Sequence, residues 1–193
     1  MSLAPITLKR SLAPLLAIAA LAQAPAAQAA QARNCVAPAD LTDTMIYVMP
    51  IAYDAARVAC AGQFNNQSFF AGQGERFIGS FRARQNGAWP GAFRTLKLAL
   101  AEQNGNASKN DIDLLAMAQS LPEASLRPFV DGLVGQMIAK EIKPSSCGKI
   151  ERGMELVSPL PVENVAGLMG FVLELVDLGN PAICPADLPK KKR

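Results

Sequence analysis

Four cysteines, a few grouped carboxylates and one Ser-x-x-Lys tetrapeptide are the residues with chemical potential in this chain of 193, which contains no histidine. Without imidazole there is no Ser-His or Cys-His nucleophile pair, no histidine general base and no His-containing zinc site. Ser146-Cys147-Gly148-Lys149 has the spacing of the acylating motif of penicillin-recognising enzymes, but the partner element Lys-Thr-Gly is missing. Helix capping accounts better for the serine. Gly72-Gln73-Gly74 lacks the third glycine and the preceding strand of a dinucleotide site, and no Gly-rich stretch ends in Gly-Lys-Ser/Thr. No catalytic or cofactor-binding residue is assigned.

Carboxylates act without histidine in glycoside hydrolysis, where two acids flank the scissile bond. Glu151 and Glu155 share a helix face at i, i+4, with Arg152 beside them, and read as a solvated surface. Glu174 and Asp177 interrupt an apolar helix, and apolar walls would raise a carboxylate's pKa toward general-acid use. Helix-edge exposure is the plainer reading. Phe69, Phe70, Phe77, Phe81, Trp89 and Phe93 either line a pocket for an apolar ligand or form core. The core reading is the stronger one. Gly132/Gly135 and Gly167/Gly170 read as points of close helix packing. Asn66-Gln67-Ser68 and Asn106-Ala107-Ser108 match glycosylation sequons.

Cys35, Cys60, Cys147 and Cys184 have no C-x₂₋₄-C spacing, so a metal centre is not expected. An even count behind a leader favours two disulfides in an oxidising compartment. Residues 1–30 form such a leader. Lys9 and Arg10 make a positive start, Leu12 to Ala22 an apolar stretch too short to span a bilayer, and cleavage falls within 29–32. The leader carries two basic residues and no acidic ones, which leaves 17 basic against 16 acidic groups. Four of those basic groups are Lys190 to Arg193. The body is therefore mildly acidic, without a global footprint for nucleic acid.

The elements that position these residues are helical. Apolar residues recur at three and four, most clearly as the stripe Leu126, Phe129, Val130, Leu133, Val134, Met137 and Ile138, capped by Ser125 and stopped by Pro144. Glu75 to Gln85 and Ala88 to Glu102 are helical with a break at Trp89-Pro90. Gln63 to Gly74 and Asn104 to Asn110 are loops, and Asp111 to Gln119 is a short helix. A helix capped by Asp40 or Thr42 meets Pro50, and a second hairpin has arms near Cys147–Val157 and Val162–Leu178, the latter the most apolar element. If each cysteine pair closes a hairpin, the disulfides are 35–60 and 147–184. If Pro50 only kinks one long helix, Cys35 and Cys60 stand about 15 Å or more apart and that pairing fails.

Cys35-x-x-Pro38, Ala88-Trp89-Pro90, Pro144-x-x-Cys147, Pro159-Leu160-Pro161-x-x-Asn164 and Ile183-Cys184-Pro185 follow one another behind the leader. In this order they resemble an uncharacterised family of short exported alphaproteobacterial proteins with paired cysteines. The resemblance implies a periplasmic or secreted address and transfers no activity.

The expectation is thus an all-α, single-domain bundle of five to seven helices stapled by two disulfides. It comprises a signal peptide (1–30), a helical domain (33–185) and a disordered basic tail (186–193). Its expected role is that of a non-enzymatic binding or interaction protein of the cell envelope. The alternatives are a carboxylate-dependent hydrolase of an envelope polymer and a carrier of a small apolar ligand. Partners are an envelope protein or a small apolar ligand, not nucleic acid. The basic tail offers weak contact with an anionic surface.

Overall fold

The computed structural model describes residues 35–104, 120, 122–176 and 181–185. The chain divides after Arg33, and every described residue lies in the second unit. The leader and its cleavage site, the Asn106 sequon, the 111–119 helix, Asp177 and the basic tail fall outside the described residues.

Six α-helices are present among them: α1 (Pro38–Ala59), α2 (Phe69–Gly72), α3 (Gly74–Asn104), α4 (Glu123–Glu141), α5 (Cys147–Val157) and α6 (Val162–Leu175). A 3₁₀ turn, Pro144–Ser146, leads into α5. The all-α expectation holds. No described helix is long and apolar enough to cross a membrane.

Two prolines placed as breaks are instead absorbed. α1 begins at Pro38, whose fixed φ suits the first helical position, and neither Asp40 nor Thr42 caps it. It then runs through Pro50 for 22 residues, a rise of about 33 Å. α3 passes through Pro90 for 31 residues in the same way. An interior proline removes one hydrogen bond and costs about 3 kcal/mol. Burial offsets it: Ile46, Tyr47, Met49 and Tyr53 around Pro50, and Ala88, Trp89 and Ala92 around Pro90, are all core residues. α4 begins at Glu123 with Pro122 at its N-cap position, so Ser125 is not the cap and Pro128 lies inside the helix.

The unbroken α1 corrects the expected disulfide pairing. Cys35 and Cys60 flank opposite ends of that helix and cannot meet. The bonds are Cys35–Cys184 and Cys60–Cys147, with Cα separations of 5.1 and 5.7 Å. The α5–α6 hairpin does form, but Cys184 returns to the start of α1, where Val36 pairs with Ile183 in an isolated parallel bridge. Val36 N–H donates to the Ala182 carbonyl at 2.8 Å and Cys184 N–H to that of Val36 at 2.9 Å. No cysteine is free, and two disulfides assign the folded chain to an oxidising, extracytoplasmic compartment.

α1 is the hub, with α3, α4 and α6 all packed on it. This explains why its buried residues, Leu41, Ile46, Tyr47, Met49, Pro50, Tyr53, Ala55 and Ala56, are not confined to one stripe. At the Cys60 end, α2 touches α3 and α5. Ser68 caps α2 by accepting the Ala71 N–H at 3.2 Å. α6 is not the most buried element. Only Val162, Val165, Ala166 and Gly170 are enclosed, because α1 covers one side of the helix alone. The α4 stripe divides likewise: Leu126 and Val130 are buried, while Phe129, Leu133 and Met137 stay exposed.

Candidate functional site: a groove between α1, α3 and α4

Pro50 and two glycines shape a groove that involves three helices. Gly132 and Gly135 stand on the face of α4 beside Ile51 and Ala55 of α1. A methyl group added at Gly135 would touch Ile51 Cγ2 at 3.4 Å, whereas one added at Gly132 would meet nothing within 4 Å. The packing role read for this pair therefore holds for Gly135 at most. Gly132 opens onto a groove of about 580 Å³. Its apolar lining includes Pro50, Ile51, Val58 and Ala139, and its polar groups are Asp54, Arg82, Gln85, Asp131 and Gln136.

Those polar groups are held from behind. Gln85 Nε2 donates to the Tyr47 carbonyl at 3.0 Å, in the turn of α1 that Pro50 loosens. Asp54 accepts from Arg82 at 2.7 Å; Arg82 also donates to Glu75 at 2.8 Å, and Glu75 takes Arg57 at 2.6 Å. These four charges balance. Asp131 is different, because its Oδ1 accepts the Tyr47 hydroxyl and no ion pair to it lies within 4 Å among the described residues. Arg127 Nε donates to the same hydroxyl at 3.2 Å, with its guanidinium over the Tyr47 and Trp89 rings at 5.2 and 5.8 Å. Burial first, and then the bond to Asp131, push the Tyr47 pKa well above its ordinary value. Tyr47 thus remains a proton donor that fixes Asp131 at the groove. Compared with family models, curated proteins and solved structures, the chain matches none.

The residues singled out from sequence do not meet here. Glu151 accepts the Phe69 N–H at 2.5 Å and so holds the start of α2, while Glu155 pairs with Arg152 at 2.9 Å. Glu174 is exposed on α6. Ser146 does not cap α5; its hydroxyl donates back to the Lys143 carbonyl at 2.7 Å, and Lys149 is exposed. The aromatic set is core. Phe69, Phe70, Phe77, Phe81 and Trp89 are buried, and Phe93 stacks on Trp89 at 5.2 Å. A smaller hollow of about 350 Å³ borders Phe77 and Phe81, with Arg76 and Arg84 at its rim. No group of three or more metal-ligating side chains occurs among the described residues. Sequence reasoning missed Tyr47, Gln85 and Asp131. The one usable signal was the pair Gly132 and Gly135 on one side of an apolar-striped helix.

Proposed function

We propose that this is a non-enzymatic binding protein of the bacterial cell envelope, periplasmic or secreted, that holds a small ligand with an apolar body in the α1–α3–α4 groove. The observation that carries this reading is Gly132, a helix-interior glycine that no close approach requires and that leaves the groove open. Such a glycine costs roughly 0.5–1 kcal/mol relative to alanine, so the space is kept at some expense in stability. The volume lies within the usual range for small-molecule sites, and an apolar lining with a few fixed polar groups is their common composition. Lys9, Arg10 and the apolar stretch Leu12–Ala22 support the exported address.

Filling the groove tests the reading. Gly132→Leu places a side chain in open space and should leave the urea midpoint equal or higher. Binding of the neutral fluorophore N-phenyl-1-naphthylamine should weaken by about tenfold or more, equivalent to about 1.4 kcal/mol. Equal binding by the wild type and Gly132→Leu would remove the groove as the site.

A further inference from the structure

α6 carries apolar residues on two sides, and the fold uses only one of them. Val162, Val165, Ala166 and Gly170 face the body, with Gly170 set against Leu41 of α1. Leu168, Phe171, Val172 and Leu175 follow the spacing i, i+3, i+4, i+7 on the other side, flanked by Met169 and Val176. All six are between 39 and 68 % exposed. A helix apolar around most of its circumference is normally enclosed. The six leave on the order of 600 Å² of apolar surface open, the top of the range for monomeric proteins.

We infer that this face of α6 pairs with the same face of a second copy of the chain, the two helices antiparallel about a two-fold axis near Phe171 and Val172. Three features select a like partner. The spacing is that of a helix–helix seam, which fits itself when two copies cross at a shallow angle. The face presents almost no charge: Glu174 stands at its edge and Glu163 is occupied by Arg84. It therefore offers a partner of opposite charge nothing to read, whereas an identical apolar stripe matches it. The open area approaches the roughly 800 Å² that each side of a standard interface contributes. An isologous pairing brings Leu168 of each copy against Leu175 of the other. This inference is independent of the groove reading, since no groove residue lies on α6.

Sedimentation of the oxidised protein over a dilution series tests it. The wild type should sediment as a dimer at the upper concentrations. Leu168→Glu and Leu175→Lys, both at exposed positions, should each raise the dimer dissociation constant by about a hundredfold or more. Mixing the two should restore a heterodimer, because the antiparallel pairing sets the introduced Glu against the introduced Lys. Met137→Glu, on the exposed side of α4, should leave the dimer unchanged. A wild type monomeric throughout, a dimer indifferent to the α6 charges, or a mixture that stays monomeric would overturn the pairing. Flotation of a monomeric wild type with phosphatidylglycerol–phosphatidylethanolamine vesicles would do the same and assign the face to a lipid surface.

Discussion

Asp43 shows how one side chain sets a local conflict in this fold. It packs against Gly91 of α3, and its neighbour Arg94 is committed to Asp40 through two hydrogen bonds of 3.1 and 2.6 Å. Burial, then repulsion from Asp40, raise its pKa above 3.8, with Arg94 opposing. The folded chain therefore holds this proton more tightly than the unfolded chain does. Asp43's own contribution to stability is highest while it is protonated and declines as pH rises through its folded pKa. Asp43→Asn should accordingly stabilise the protein near neutral pH, and the gain should vanish as pH falls below 3.8. Urea midpoints of both proteins across that range decide the matter; a difference independent of pH would refute the account. None of this was legible in the sequence, where Asp40 and Asp43 are one helical turn apart but nothing reveals Gly91 opposite them.

Among elements, the crossing of α1 and α3 is the tightest constraint. A Cβ at Gly91 would come within 2.6 Å of Asp43 Cβ and 2.8 Å of Cγ, atoms too near the backbone to swing aside. Gly91→Ala should cost about 1–3 kcal/mol, the usual penalty for overpacking. Gly87→Ala, one turn earlier with nothing within 4 Å, should instead gain about 0.5–1 kcal/mol through helix propensity. Opposite signs in chemical denaturation support the crossing geometry, and equal signs count against it. Helix identity was legible because apolar spacing at three and four marks α4, α5 and α6 directly. Continuity was not. Pro50 and Pro90 advertise a missing donor in the sequence, while the Tyr47, Trp89 and Phe81 packing that holds the helices together around them appears only in three dimensions.

For the molecule as a whole, two nested cross-links replace the two local clips that hairpin geometry had suggested. Cys60–Cys147 closes a loop of separation 87 inside that of Cys35–Cys184, separation 149. The chain-entropy account gives about 4–5 kcal/mol for loops of this size. Cys60→Ser/Cys147→Ser should therefore cost several kcal/mol in urea unfolding, far more than removing the exposed Arg152–Glu155 pair, worth about 0–1 kcal/mol. Removing both disulfides should cost more than the sum of the two single removals, because each bond left in place shortens the loop that the other closes. A loss under about 1 kcal/mol for the inner bond would contradict this entropic origin. Cysteine parity made two disulfides legible; their partners depended on whether Pro50 stops a helix or lets it pass, which tertiary packing decides.

The Cys35–Cys184 bond and the Val36–Ile183 bridge beside it also govern how the protein meets a mechanical load. Every described helix lies between those two cysteines. Tension applied to the segments before Cys35 and after Cys184 travels through the covalent sulfur link and bypasses the helices. Pulled from its ends, the oxidised domain behaves as an inextensible knot in the chain. Only after reduction does force reach α1 and α6, and the chain then lengthens by the whole span it had enclosed.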